Sequence, residues 1–289
     1  MNSIYTIVTL LLAILCMSSK SYSGDKFSAL KGPYLGQKPP GSRPEIFAPG
    51  IVNTKAFKEI EGTFAPGMNA FYFIRVKQEG KALTVIEYKN NQWQESLIKS
   101  DVSELSISPD GDTIYLQNKY IERVGNDWSD LKSLAEPLKD ILIMRTSVAT
   151  SGTHYFDTYS ENLDIPLRYS RLQDDKYEEP KLLGPQFSVG NYNAHPFIAP
   201  DESYIIWDSI RESGYGSSDL YISFRTKDGA WGPAINMGEK INTADAENYP
   251  SVTPDGKYLF FDRRAKGRSN KEVDIYWVDA QIINDLRPE

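Results

Sequence analysis

Residues 249–261, YPSVTPDGKYLFF, have the pattern of a β-hairpin. An apolar strand runs into Pro254-Asp255-Gly256, and a strand rich in aromatic residues follows this turn. Proline presets the φ angle of a turn, aspartate can bond the backbone of its own turn, and glycine adopts a positive φ at no steric cost. The stretch therefore predicts two antiparallel strands joined by a tight turn.

The same hairpin pattern occurs five times along the chain. The position of the turn proline is held in turn by Pro66, Pro109, Thr150, Pro200 and Pro254. Successive copies are 43, 41, 50 and 54 residues apart. A repeat of this length with four strand-like runs per unit is typical of a β-propeller blade. The sequence therefore predicts an all-β propeller of five four-stranded blades, with six blades as the alternative.

The two ends of the chain are predicted to meet in one blade. The fourth copy contains four strand-like runs, at residues 194–198, 203–208, 220–225 and 231–235. The fifth copy ends before a fourth strand, but residues 44–54 match residues 233–243, the end of blade 4. Both stretches run ten residues from a proline to a shared Asn-Thr. We therefore expect the amino-terminal strand to complete the last blade and close the ring, which removes the exposed sheet edges.

The first 23 residues have the pattern of a secretory signal. Residues 4–16 are largely apolar but too few to cross a bilayer, which takes about 20 residues. Residues 21–23, Ser-Tyr-Ser, form a small-x-small cleavage site. A buried amino-terminal helix is the alternative. Cys16, the single cysteine of the chain, is either removed with the signal or serves as a lipid-attachment cysteine.

The chain is thus predicted to consist of a signal peptide at residues 1–23, an extended lead-in at residues 24–43 and the propeller at residues 44–289. This division predicts an exported protein, periplasmic or secreted, with a lipoprotein as a further possibility. The formal net charge is −7, and acidic and basic residues are mixed along the chain. Such a balance argues against nucleic acid or an anionic membrane surface as the main partner.

Few residues suggest catalysis or cofactor binding. The chain has two histidines, His154 and His195, and lacks an Asp-rich loop with calcium-binding spacing or a glycine-rich phosphate loop. Residues 214–218, GYGSS, lack the pattern of a nucleophile elbow and are predicted to form a flexible loop. We therefore expect no metal and no cofactor, and we expect His154 to be a packed structural residue.

The repeats resemble those of a known propeller family. Ser108-Pro-Asp-Gly111 before an aromatic strand, with Asp219-Leu-Tyr221 and Asp274-Ile-Tyr276 later in their blades, resembles the TolB-like (WD40-like) repeat of bacterial propellers. The resemblance covers residues 32–279, and the lead-in is similar to exported members of the group. It implies a periplasmic binding or scaffolding module; members of the family often have six or seven blades. Because Asp219 and Asp274 recur at one place in the blade, we expect them to bond turn amides.

One column of residues is polar in every copy. Five positions before the turn proline stand Glu61, Glu104, Arg145, His195 and Tyr249. Two positions before it, the residues are apolar in every copy: Phe64, Ile107, Val148, Ile198 and Val252. The innermost strand of each blade brings one side chain to the central channel, so the polar column predicts an axial ring that binds a ligand or fills a wet channel. The apolar column is expected to pack between blades.

These features predict a non-catalytic binding or scaffold module that recognises a protein or glycan partner at its axial face. The mixed ring, which lacks a coherent nucleophile, favours binding. The alternative is a carbohydrate-active enzyme, a glycoside hydrolase or lyase, in which Glu61 and Glu104 act as a paired acid and base.

Overall fold

The computed structural model describes residue 27 and residues 30–162, 165–265 and 272–289. The predicted signal, residues 1–23, and Cys16 lie outside these residues. The described strands form five four-stranded sheets arranged as a five-bladed β-propeller, so the predicted blade number is confirmed. In the part of the chain that the structure describes, every helix is too short or too polar to cross a membrane.

The first two blades follow the lead-in. Blade 1 contains β2 (Lys58–Phe64), β3 (Ala70–Lys77), β4 (Gly80–Lys89) and β5 (Gln92–Ser100). Blade 2 contains β6 (Leu105–Ile107), β7 (Thr113–Leu116), β8 (Lys119–Val124) and β10 (Lys132–Ser133), with β9 (Asp127–Trp128) paired to β8. Successive strands are antiparallel, and the first strand of each blade is the innermost.

The remaining three blades repeat this order. Blade 3 contains β11 (Ile143–Val148), β12 (His154–Thr158), β13 (Arg168–Ser170) and β16 (Lys181–Leu182), beside a small hairpin of β14 (Leu172–Gln173) and β15 (Lys176–Tyr177). Blade 4 contains β17 (Asn191–Ile198), β18 (Tyr204–Ile210), β19 (Asp219–Phe224) and β20 (Ile235–Asn236). Blade 5 contains β21 (Ala246–Val252), β22 (Tyr258–Arg264), β23 (Val273–Asp279) and the amino-terminal β1 (Glu45–Ile46). Helix α1 (Gln281–Asp285) follows blade 5.

The hairpin turns form as their residues predict. In the fifth copy, Asp255 accepts hydrogen bonds from the Thr253 hydroxyl at 2.7 Å and from the Lys257 N–H at 3.2 Å. Gly256 has a φ of 71°, in the left-handed region that favours glycine. The turn therefore satisfies its own polar groups and leads directly into β22.

The ring is closed by β1, as expected. Glu45 pairs with Trp277 and Ile46 with Tyr276 in antiparallel register on β23. Asn53 then bonds both backbone groups of Ile275: its Oδ1 accepts the N–H at 2.8 Å, and its Nδ2 donates to the carbonyl at 3.0 Å. The repeated Asn-Thr is thus a structural device, and it holds the amino-terminal stretch on blade 5.

The matching residue in blade 4 makes the same bonds. Asn242 accepts the N–H of Leu220 at 2.8 Å and donates to its carbonyl at 3.0 Å. The two copies differ in chain distance, since Asn242 lies 22 residues from its partner and Asn53 lies 222 residues from its own. One local motif therefore serves an ordinary blade and also the seam of the ring.

An aromatic cluster fills the seam between blades 5 and 1. The Phe47 ring lies 4.6 Å from Phe71, 5.0 Å from Phe260 and 5.1 Å from Trp277, measured between centroids. Tyr34 from the lead-in packs on Trp277 at 5.6 Å. Such pairs each contribute about 0.5–1.5 kcal/mol beyond their buried area. The lead-in and the seam therefore share one hydrophobic core.

Two details of blade 4 bear on the sequence-based expectations. The fourth strand was expected at residues 231–235 but covers Ile235–Asn236, because Pro233 has no N–H to give to the ladder. The loop at residues 214–218 is held by hydrogen bonds: the N–H groups of Tyr215 and Gly216 donate to Asp219 at 2.7 and 3.2 Å. These bonds confirm the expected role of Asp219, which bonds the amides of its own loop.

Candidate functional site

The five predicted residues lie at irregularities of the innermost strands, and together they are called the axial ring. The pairing register shifts beside this position in blades 1, 3, 4 and 5, which indicates a β-bulge in each. Four of the five have a left-handed backbone, with φ of 62° at Glu61, 64° at Glu104, 50° at His195 and 56° at Tyr249. This conformation is uncommon outside glycine. Bulges re-aim side chains, and in blades 1, 3, 4 and 5 they turn one polar residue per blade towards the axis. In blade 2 the corresponding residue, Glu104, directly precedes β6.

Buried aspartates of the second strands link the axial ring from blade to blade. In blades 3, 4 and 5 such an aspartate accepts the backbone N–H of the axial residue in the following blade. The pairs are Asp157 with His195 at 2.8 Å, Asp208 with Tyr249 at 3.3 Å, and Asp262 with Glu61 at 3.0 Å. The last pair joins blade 5 to blade 1, so the ring is closed at its axis as well as at its rim.

The side chains of the axial ring are in contact. The His195 imidazole stacks on the Tyr249 ring with centroids 3.8 Å apart, and its Nδ1 lies 2.8 Å from Asp208. The Tyr249 hydroxyl donates to Glu104 Oε1 at 3.3 Å, and Glu104 Oε2 lies 3.9 Å from His195 Nε2. The guanidinium of Arg145 lies 5.4 Å from the Tyr249 ring centroid. The structure therefore brings four of the five residues into one contiguous group.

Glu61 joins this group through a backbone amide. Its Oε2 accepts the N–H of Leu105 at 2.6 Å, directly beside Glu104. Blade 1 has no aspartate at the corresponding position of its second strand. That position is held by Ile74, which pairs with Ile60, whereas blades 4 and 5 have an aspartate there. The carboxylate of Glu61 therefore provides the link to the next blade that an aspartate provides elsewhere.

Burial and mutual charge shift the titration of this cluster. Burial, reinforced by the charge of Glu61, raises the pKa of Glu104 to about 8. Burial opposes the charged form of His195, but Asp208, Glu104 and Asp157 outweigh it and raise the pKa of the imidazole to about 9. Burial therefore favours the neutral form of Glu104, whereas the surrounding carboxyl groups favour the charged form of His195.

A funnel opens over the axial ring on the face that carries the hairpin turns. Its volume is about 330 Å³. The apolar column forms its wall, and Arg145 is the member of the axial ring that lines it. Between wall and ring lies a row of mostly hydroxyl-bearing residues, three positions before the turn proline: Thr63, Ser106, Ser147, Phe197 and Ser251. The apolar column, expected to pack between blades, thus also forms a cavity surface.

Unpartnered polar atoms are concentrated below this funnel. In the part of the chain that the structure describes, eight buried side-chain polar atoms have no hydrogen-bond partner, and six of them lie on the axis. The six are Glu61 Oε1, Glu104 Oε2, Ser106 Oγ, His195 Nε2, and both Nε and Nη1 of Arg145. More than nine in ten buried polar groups in proteins are paired. The axis is therefore the place where this protein leaves hydrogen-bonding capacity unused.

The sequence reasoning missed two groups of residues at this site. The second-strand aspartates Asp208 and Asp262 both stand eight positions after the turn proline, and Asp157 stands seven positions after Thr150. The hydroxyl row recurs at a fixed position in four of the five copies. Recurrence at a fixed offset was the available signal in both cases.

Other candidate residues have structural roles. His154 is fully buried, its ring nitrogens lie 3.0 Å from the Thr146 hydroxyl and 3.1 Å from the Tyr177 hydroxyl, and burial lowers its pKa to about 3. The loop that precedes Asp274 lies outside the described residues. Among the residues that are described, no three His, Cys, Asp or Glu side chains are grouped as a metal site.

The chain was compared with known proteins. No protein-family model matches it, and no curated protein matches its sequence significantly. Its structure is similar to TolB from Acinetobacter baumannii, with a TM-score of 0.51 and 13% identity; the match covers 78% of this chain and 52% of that one. This chain therefore spans about half of the length of that protein.

Two further structures have a similar fold. A TolB structure from Agrobacterium tumefaciens has a TM-score of 0.51 and 12% identity, and the match covers 77% of each chain. The catalytic domain of an α-L-arabinofuranosidase from Coprinopsis cinerea has a TM-score of 0.51 and 9% identity, with 82% of this chain and 97% of that chain covered. At such identities the similarity concerns the fold alone. This chain is a five-bladed propeller that resembles the TolB propellers in fold, as its repeats predicted.

Proposed function

We propose that this protein is an exported, non-catalytic binding or scaffold module that recognises a protein or glycan partner at its axial face. The observation that supports the proposal is the group of unpartnered polar atoms beneath the funnel. A concave site with a few converging polar groups and perturbed pKa values is the usual form of a ligand site. The partner would complete the hydrogen bonds that the protein itself leaves open.

The surroundings of the two glutamates support binding over catalysis. Neither Glu61 nor Glu104 lines the funnel, and both are buried. One carboxylate oxygen of Glu61 already accepts the Leu105 N–H at 2.6 Å. A glycosidase needs both carboxyl groups in reach of the scissile bond. Glu61 instead links blade 1 to blade 2, and Glu104 accepts the Tyr249 hydroxyl of blade 5 across the axis.

A carbohydrate-active enzyme is the second candidate function. It is favoured by the raised pKa of Glu104, since a carboxyl group that stays protonated near neutral pH can serve as a general acid. The propeller fold is also shared with an α-L-arabinofuranosidase catalytic domain. Glu61→Gln and Glu104→Gln preserve side-chain size and test this candidate. Loss of turnover of a plant or algal oligosaccharide in either variant would establish the enzyme and overturn the non-catalytic proposal.

Export is part of the proposal and rests on residues 1–23, with Cys16 as a possible lipid-attachment site. The expected mature chain begins at residue 24 and is recovered from the periplasm or the medium. Mass spectrometry of the protein from fractionated cells tests this. A chain that retains residues 1–23 in the cytoplasm would contradict export, and a diacylated Cys16 would identify a lipoprotein.

The axial site is tested by blocking the funnel. Thr150 is exposed and lines the funnel mouth, so Thr150→Arg places a long side chain across the opening. Ser133, exposed on the outermost strand of blade 2, provides the matched control Ser133→Arg. Both variants are screened against purified periplasmic proteins and a glycan panel. Loss of a partner in Thr150→Arg alone is expected; equal binding by both variants would contradict the axial site.

A further inference from the structure

We propose that the floor of the funnel is a carboxylate-binding site, and that the group it takes is an acidic side chain of a partner protein. This inference rests on the proposed function and names the chemistry of the group that enters the axial face. It depends on three features of the described residues. These are an unpaired buried arginine, an unpaired hydroxyl beside it, and an apolar wall around both.

Arg145 provides the positive charge. The residue is only 2% exposed, it lines the funnel, and its Nε and Nη1 atoms have no hydrogen-bond partner. A buried ionised group without a partner is strongly unfavourable. The guanidinium fork matches the two oxygens of a carboxylate, and bidentate pairs of this kind are the strong form of the interaction. The unfilled donors of Arg145 therefore fit a carboxylate that comes from outside the chain.

Ser106 provides a second donor. Its hydroxyl is buried without a partner and lines the same funnel. Its neighbours in the hydroxyl row are engaged: Ser147 Oγ accepts the Ile198 N–H at 3.1 Å, and Ser251 Oγ donates to the Gly62 carbonyl at 2.8 Å. Ser106 is thus free to donate to an oxygen that Arg145 also binds.

The carboxyl groups below the floor do not take the place of this ligand. Glu61 has one oxygen committed to the Leu105 N–H, and Glu104 accepts from the Tyr249 hydroxyl. Burial raises the pKa of Glu104 to about 8, so its repulsion of an incoming anion is weak at neutral pH.

The imidazole of His195 is paired with Asp208 at 2.8 Å, so Asp208 is engaged with His195. The buried aspartates of the axis are engaged as well: Asp157 accepts the backbone N–H groups of Arg145 and His195, and Asp262 accepts that of Glu61. Among the described residues, no carboxylate accepts a hydrogen bond from Nε or Nη1 of Arg145.

The funnel wall favours a protein side chain over a sugar. The apolar column surrounds the floor, and four of the five turn positions at the mouth are prolines. A sugar would place hydroxyl groups against this wall without hydrogen-bond partners, which is costly. A buried charged group enclosed by apolar contacts is the arrangement found at the centre of protein interfaces. The volume of about 330 Å³ lies at the lower end of ligand pockets, which suits one side chain and its neighbours.

The test follows the Arg145 side chain by NMR in the full-length, ¹⁵N-labelled protein. The Nε–H signal is assigned by its loss in Arg145→Lys. The protein is titrated with N-acetyl-glutamate, taken as its α-amide so that the side-chain carboxylate is its only charge, and with the α-amide of N-acetyl-glutamine as its neutral isostere. We expect a saturable shift with N-acetyl-glutamate alone. Ser106→Ala should weaken this binding about tenfold, the effect of one hydrogen bond to a charged group. Ser106→Ala should also leave stability unchanged or higher, because it removes an unpaired hydroxyl.

The matched control is Arg123, which lines a separate groove between blades 1 and 2. Arg123→Gln should bind N-acetyl-glutamate like the unmodified protein, whereas Arg145→Gln should not bind it. If Arg145→Gln does not fold, Ser106→Ala and the titration of the unmodified protein decide the matter. No shift, or equal shifts with both probes, would overturn the carboxylate site. A shift with galacturonate or inorganic phosphate but not with N-acetyl-glutamate would refute the inference that the bound group is an acidic side chain of a partner protein.

These outcomes are distinct from failure of the proposed function. A partner whose binding is lost in Thr150→Arg but unaffected by N-acetyl-glutamate and by Ser106→Ala would uphold the axial face and refute the carboxylate site. A partner that binds every axial variant normally would refute the axial face, while the Arg145 titration would still report on the carboxylate site.

Discussion

Replacing Asn53 by alanine should weaken the attachment of the amino-terminal stretch to β23, where the two ends of the chain close the ring. The change removes two bonds to the backbone of Ile275, at 2.8 and 3.0 Å, and one to the Phe47 carbonyl at 2.6 Å. The Ile275 carbonyl keeps the Phe47 N–H at 2.9 Å. Two buried backbone groups, the Ile275 N–H and the Phe47 carbonyl, therefore lose the bond from Asn53. Each buried backbone group left without a hydrogen-bond partner costs about 1–3 kcal/mol, so the free energy of unfolding should fall by about 3 kcal/mol.

Asn242→Ala is the matched control for this change. Asn242 makes the same pair of bonds to Leu220 within blade 4, so urea unfolding should show a comparable loss of about 3 kcal/mol. Hydrogen exchange should separate the two variants. Only Asn53→Ala should speed exchange across β1 and β23, because only that bond joins the chain ends. The proposed role of Asn53 would be refuted if Asn53→Ala lowered the free energy of unfolding by less than about 1 kcal/mol. Equal exchange rates across β1 and β23 in both variants would refute it as well.

Three further predictions concern the axis and the blade 4 loop. Asp208→Asn should lower the pKa of His195 from about 9, followed by NMR titration of the imidazole, and should cost about 3–5 kcal/mol as a broken buried pair; an unchanged pKa would contradict the contact at 2.8 Å. The pKa of Glu104 is raised to about 8 in the folded protein, from an ordinary value of 4.5. Between these pH values the folded protein holds a proton that the unfolded chain has released, so the contribution of Glu104 to stability falls as the pH rises from 4.5 to about 8. Thermal unfolding of Glu104→Gln should therefore depend less on pH between about 5 and 8, and an identical pH slope would exclude the shift. Gly216→Ala should destabilise by about 1–3 kcal/mol in urea, since a Cβ would lie 2.3 Å from two backbone oxygens, whereas Gly41→Ala meets nothing and should be neutral.

Much of the fold could be predicted because its determinants are local. The Pro-Asp-Gly turns satisfy their own polar groups, so each copy indicates a hairpin without knowledge of its neighbours. The match between residues 44–54 and 233–243 predicted closure, and Asn53 and Asn242 show why the motif repeats. The fourth strand of blade 4 was misplaced because its pairing depends on β19, and Pro233 interrupts that pairing.

The five positions of the axial ring could be predicted from the sequence, but the arrangement of their side chains could not. Repetition places one residue per blade at the centre, so the five positions could be named from spacing. In blades 1, 4 and 5 the bulged residue donates its backbone N–H to an aspartate of the preceding blade, and spacing does not report such bonds. For the same reason, the sequence did not reveal that Arg145 lines the funnel while the glutamates lie below it.

Hairpins, repeat length and the closing strand follow from interactions between residues close in the chain or from direct repetition, so they can be inferred from the order of amino acids. Closure of the ring decides which residues meet at the axis. Glu61 and Asp262 are 201 residues apart and meet only because the last blade packs on the first. Burial and the charge of Glu61 raise the pKa of Glu104. Nε and Nη1 of the buried Arg145 side chain have no hydrogen-bond partner there. The proposed chemistry of the site is therefore a property of the closed ring, since no single blade contains it.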